Sequence, residues 1–130
     1  MSSSVTRLCP QNFNLSAEGL RRLVDAAHDA GLLVLADAKR GDIDVSAAAY
    51  AQALAGSTAT PFGEVDGLGA DAYTVSPYMG VDTLRALRTP GAGMFVLVRT
   101  SNPGAVDVED LPTEDGERVW ERVALLVDGL

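Results

Sequence analysis

Lysine is almost missing from this chain: of 10 basic residues, Lys39 is the only lysine and the rest are arginine. A single cysteine, Cys9, excludes an internal disulfide, and no Cys/His cluster offers a zinc site. The one histidine, His28, lies between Asp25 and Asp29 and reads as a solvated surface residue, which argues against a Ser/His/Asp triad. No apolar run approaches the ~20 residues a spanning helix needs. Met1-Ser2-Ser3-Ser4-Val5 lacks the basic and apolar regions of a signal peptide, so the expected compartment is the cytoplasm. No Walker or dinucleotide loop is present, and Gly67-Leu68-Gly69 is too short to count as one. The formal net charge of −8 argues against binding nucleic acid or an anionic membrane. It leaves room for a small anion, because one arginine or a helix N-terminus can hold a phosphate.

What is present suits one ordinary globular domain of 130 residues, 47% hydrophobic and 22% charged. Residues 1–14 read as irregular, with Cys9-Pro10-Gln11-Asn12 turn-like. Ser16 is a plausible N-cap for a helix over 17–30, whose Leu20, Leu23, Val24 and Ala27 form one stripe and which Gly31 ends. Leu32 to Ala36 is a continuous apolar run, the pattern of a strand covered on both faces. A helix over 45–54 and a polar, glycine-bearing connector over 56–69 follow. Strands are expected at 71–76 and 93–98, with a short helix at 81–88 between them. A looser stretch over 105–115 leads to a helix over 116–128, with Val119, Trp120, Val123 and Leu126 on one face. A helix followed by three strand–helix units, over 17–128, argues an α/β fold with parallel strands and right-handed crossovers. Such folds place their sites at the carboxyl ends of the strands, which here carry Asp37 and Lys39, Ser76, and Arg99-Thr100-Ser101.

The first of those ends concentrates opposite charges: Asp37, Lys39 and Asp42 stand at i, i+2 and i+5 behind an apolar strand. Buried charges lose solvation unless paired. In an extended strand Asp37 and Lys39 share a face and Ala38 points the other way. The two charges then pair, since an opposite charge within ~4–6 Å favours the ionised forms. A cationic acid held where carbanion character develops can stabilise that charge and deliver a proton to it. A carboxylate beside an anionic substrate group presses the other way, by a repulsion relieved when the group leaves as CO2. The plain alternative is an ion pair that closes the strand. For Asp42 the plain alternative is an N-cap of the next helix, with Gly41 permitting the turn before it.

At these residues the chain resembles the orotidine 5′-phosphate decarboxylases. Asp37-Ala38-Lys39-Arg40-Gly41-Asp42-Ile43 is similar to their Asp-x-Lys-x-x-Asp signature, in the form Ala-Asp-Ala-Lys-Arg-Gly-Asp-Ile of a bacterial subgroup. Asp71-Ala72 through Ser76-Pro77-Tyr78-Met79-Gly80 resembles the fourth strand and its exit loop, and Phe95 through Ala105 the fifth. The resemblance implies part of a (β/α)8 TIM barrel, about strands three to five, and a family that works as a homodimer. It implies conversion of orotidine 5′-monophosphate to UMP and CO2 with neither metal nor organic cofactor. Carried over, Lys39 is the acid that protonates C6 and Asp37 the carboxylate beside the leaving group. Asp42 reaches the partner's site near the ribose, with Ile43 and Ser46, and Ser101 contacts the pyrimidine.

Two departures accompany the match. The family's charged array also uses an aspartate on the first strand and a lysine on the second, and Lys39 is the only lysine here. The last three strands, with their phosphate-binding loops, have no counterpart. The expectation is therefore a partial barrel that is inactive or weakly active alone, whether truncated or a piece of a longer chain. Two other readings are a magnesium-dependent sugar-phosphate decarboxylase or aldolase of the same superfamily, and a non-catalytic barrel fragment serving as a dimerisation or binding module.

Overall fold

Ser16 starts the first helix as its sequence suggests: its side chain accepts the Gly19 amide at 3.1 Å, satisfying an orphan donor of the first turn. The computed structural model in which this is seen describes residues 4–8 and 16–130. The expected turn over Cys9-Pro10-Gln11-Asn12 lies outside them. Helix α1 (Ala17–Asp29) ends at Gly31, whose φ of +73° is a left-handed conformation that glycine adopts without a Cβ penalty.

Four parallel strands form the sheet, in the order β1 (Val5–Leu8), β2 (Leu33–Arg40), β5 (Ala72–Val75), β6 (Gly93–Val96). Three strands were expected, and the fourth, β1, lies in the stretch read as irregular. Val5-Thr6-Arg7-Leu8 is short and carries no apolar repeat of its own. It becomes a strand by pairing along β2, from Val5 opposite Leu33 to Leu8 opposite Ala36. Helices α2 (Asp44–Ala55) and α3 (Val81–Ala86) connect the later strands.

Val34, Ala36, Tyr73 and Val75 point to one face of the sheet and are buried there with Val24, Ala47 and Leu84 of the helices and Leu87 just after α3. Tyr73 brings its hydroxyl to the Leu87 carbonyl and to Thr89 Oγ1, so burial leaves no stranded polar atom on that ring. The opposite face is open: Leu33 is exposed, Leu35 half-buried and Phe95 58% exposed. The apolar run of β2 therefore does not have the two covered faces its sequence suggests. In a parallel sheet such a run is matched by cover on both sides, and only the helical layer is provided by these residues.

Two further differences concern local structure. The connector over 56–69 contains an antiparallel hairpin, β3 (Ser57–Thr60) paired with β4 (Gly63–Asp66), turning at Pro61-Phe62. It is largely solvent-facing, so no apolar alternation marked it. The last helix, α4 (Val119–Asp128), begins three residues later than expected, and its Leu126 is exposed while Val127 packs against the core.

Candidate active site

β2 does not stay extended to its end. Its register with β5 shifts between Ala36 and Arg40, a bulge that falls on the charged residues. Lys39 has φ +47°, a left-handed conformation that costs a residue with a Cβ roughly 1–2 kcal/mol. Its amide donates to Thr74 Oγ1 of β5 at 2.9 Å. The strand-alternation expectation thus needs correcting in its mechanism: Asp37 and Lys39 do meet, with Nζ 2.6 Å from Oδ1, but through a bulge.

Asp37 is the buried member, its side chain 2% exposed, whereas Lys39 is 49% exposed at the mouth. Three donors reach its carboxylate. Lys39 Nζ and Thr74 Oγ1 take Oδ1, the latter at 2.9 Å, and Arg7 of β1 takes Oδ2. Counting lysines missed Arg7: a second cation does come from the neighbouring strand, as a guanidinium. With two cations and one carboxylate the cluster carries a local net charge of about +1 in a chain of −8.

The Lys39 hydrogen bond above all, with those of Arg7 and Thr74, holds the Asp37 carboxyl down at about 2, against the opposing effect of burial. An acid depressed in the folded state adds stability above its ordinary value near 3.8, and that stability fades as pH falls towards 2. The contribution is at most about 2 kcal/mol, because its cationic partners are half in water. Asp37→Asn removes it. The difference in urea midpoint between the unaltered chain and this variant should be clear at pH 6 and should shrink between about pH 5 and pH 2. An equal difference at pH 6 and pH 2.5 would contradict that linkage.

The other expected site residues sit at the same end of the sheet but are not bonded to this pair. Gly41 passes Ser76 closely: a Cβ on it would lie 3.0 Å from Ser76 Cβ and Ser76 O, a crowding that favours glycine there. Asp42 is not the N-cap of α2: Ile43 holds that position without a side-chain cap, and the Asp42 carboxylate accepts the Ile43 amide at 2.9 Å. Ile43 is exposed, as is Ser46 in the first turn of α2. Ser101 is exposed on the loop leaving β6. That loop is clamped: Arg99 makes a two-pronged pair with Asp110 at 2.9 Å, and Glu109 accepts from the Thr100 amide at 2.7 Å and hydroxyl at 2.8 Å. Sequence reasoning found neither clamp, since 105–115 shows no period. His28, expected free on the surface, pairs with Asp71 at 2.9 Å at the opposite end of the sheet. Among the described residues no group of three His, Cys, Asp or Glu side chains is placed to hold a metal ion.

Parallel βα units that gather a buried carboxylate and two cations at their carboxyl ends are the construction of a (β/α) barrel enzyme, here in part. The chain belongs to the orotidine 5′-phosphate decarboxylase / HUMPS family, whose sequence model matches residues 12–126. It is 44% identical over 110 residues to the orotidine 5′-phosphate decarboxylase of Haloarcula marismortui, covering 84% of this chain and 37% of that protein. With the Rhodopirellula baltica enzyme of the same name it shares 44% over 115 residues, 85% of this chain and 37% of that one. The solved OMP decarboxylase of Leishmania donovani superposes with a TM-score of 0.66 at 40% identity, over 82% of this chain and 38% of that one. The Plasmodium berghei orotidine 5′-monophosphate decarboxylase superposes at 0.80 over 96% of this chain and 39% of that one, and at 14% identity speaks for the fold alone. The chain thus spans about two fifths of the length of the curated relatives it matches. The family resemblance and the partial-barrel expectation are both met. No described helix is long and apolar enough to cross a membrane.

Proposed function

We propose that this chain carries the charged catalytic strand of an orotidine 5′-monophosphate decarboxylase, a cytoplasmic enzyme of pyrimidine synthesis, and that it works only within a completed barrel. The observation that carries the reading is the Lys39 ammonium held 2.6 Å from the buried Asp37 carboxylate at the carboxyl end of β2. The C6–carboxylate bond of the substrate breaks, its electron pair stays on C6, and CO2 departs. Lys39 Nζ then gives a proton to C6, forming the C6–H bond of UMP, and regains one from water. While the pair develops, the ammonium stabilises it electrostatically. Asp37, anionic throughout, faces the leaving carboxylate and repels it until it departs.

On this reading Asp42, Ile43 and Ser46 serve the ribose side of a partner's site, and Ser101 meets the pyrimidine. Exposure of Ile43 at 56% and Val45 at 82% supports an interface in that segment, as a homodimer requires. The open sheet face supports the expectation that residues 1–130 alone are inactive or weakly active.

The test grafts residues 4–126 into the Rhodopirellula baltica enzyme in place of the matching segment. The grafted barrel should consume orotidine 5′-monophosphate in the presence of a chelator. Turnover of sugar phosphates instead, lost with chelator and restored by magnesium, would replace the reading with that of the sugar-phosphate relatives. A folded graft inert to both but binding intact subunits would leave a docking module.

A further inference from the structure

The Thr74 side chain touches both members of the charged pair. Its hydroxyl has a single proton, and two neighbours define how it is used. Asp37 Oδ1, a carboxylate oxygen, can only accept, so the hydroxyl donates to it at 2.9 Å. The Lys39 amide can only donate, so the hydroxyl accepts from it at 2.9 Å. The direction of the relay is thereby set, with Asp37 Oδ1 as its acceptor.

The Lys39 backbone makes this consequential. At φ +47° it occupies a conformation that a lysine leaves unless something holds it. The bulge removes the local ladder between β2 and β5, from Ala36 opposite Tyr73 to Arg40 opposite Val75. In that gap the Lys39 amide has the Thr74 hydroxyl in place of a strand carbonyl. In an extended strand the Lys39 Cα would stand about 6–7 Å from that of Asp37, a span its side chain also bridges; in the bulged backbone Nζ lies 2.6 Å from Oδ1. Thr74 is half-buried on the sheet's open face, between buried Tyr73 and Val75 on the other. Its β-branch restricts χ1, so the hydroxyl is presented with little freedom.

We infer that Thr74 is a positioning residue of the Asp37–Lys39 pair: its hydroxyl holds the left-handed Lys39 backbone and the Asp37 carboxylate in one geometry from the neighbouring strand. It rests on the decarboxylase reading only for its functional consequence; the geometry itself is tested without turnover.

Thr74→Val removes the hydroxyl at nearly constant volume, and Thr74→Ser keeps it. In the 130-residue chain, carboxyl NMR should show the Asp37 titration midpoint rising by roughly half a unit or more in Thr74→Val. Exchange of the Lys39 amide should quicken about tenfold or more, and Thr74→Ser should restore both. Thr74→Ala repeats the comparison should valine disturb the strand. In the grafted barrel Thr74→Val should lower kcat about tenfold with KM within about twofold, as expected when reacting groups lose alignment. A chain whose melting temperature falls in Thr74→Val while the midpoint and the exchange rate stay unchanged would overturn the inference. A graft inactive before any substitution would count against the decarboxylase reading and leave the titration result standing.

Discussion

In the grafted barrel, Lys39→Ala should lower kcat by about 10³-fold or more, the combined scale of a lost proton donor and a lost charge stabiliser. KM should change far less, because the ammonium acts on charge that exists only as the carboxylate departs. The fold should survive. Lys39 is half exposed, and without it the buried Asp37 still has Arg7 on Oδ2 and Thr74 on Oδ1. Lys39→Arg should fail nearly as badly: a guanidinium keeps the charge but does not release its proton near neutral pH, and its planar fork does not occupy the place of a compact ammonium. Turnover retained in Lys39→Ala would dismiss the proton-donor role.

Gly67→Ala should cost about 3 kcal/mol or more, read directly in the denaturation midpoint of the chain. The segment after the hairpin lies against the end of α2: the Gly67 amide donates to Gly56 O at 2.8 Å and the Leu68 amide to Ala53 O at 2.7 Å. A Cβ on Gly67 would lie 2.2 Å from Gln52 O and 2.8 Å from Ala53 O. Both obstacles are backbone, so no rotamer change relieves them, and the connector must lift from the helix with its hydrogen bonds. Gly91→Ala is the contrast. Its φ of +85° is unfavourable to alanine, yet nothing lies within 4 Å of the added Cβ, so about 1 kcal/mol is expected. Equal costs at the two positions would show that crowding at Gly67 is not the cause.

Where local chemistry determines local structure, the sequence was readable. Ser16 caps α1 because its own hydroxyl does so, and Gly31 ends it because the chain turns left-handed there. The apolar runs read at 32–36 and 93–98 fall on β2 (Leu33–Arg40) and β6 (Gly93–Val96), and the Asp-x-Lys spacing placed the charged pair. What was hidden depends on neighbours distant in the chain. β1 exists by pairing with β2, and the hairpin at 57–66 is held by its own ladder, not by burial of an apolar face. Arg7 is 30 residues from Asp37 and Thr74 is 37, so no window of sequence joins them. The bulge is hidden for a further reason: Ala38-Lys39 has no glycine to announce a left-handed residue, and the conformation is held by a hydroxyl on another strand.

Chemical rescue at Lys39 bears most directly on the proposed chemistry. In a grafted barrel with Cys9→Ser and a cysteine-free parent, Lys39→Cys should be inactive towards orotidine 5′-monophosphate. Alkylation with bromoethylamine then rebuilds an ammonium of nearly lysine length at that position alone. Turnover should return by about tenfold or more over the unalkylated protein, without added metal. Substantial turnover before alkylation, or a folded and fully alkylated barrel that remains inert, would contradict the assignment of Lys39 as the proton donor.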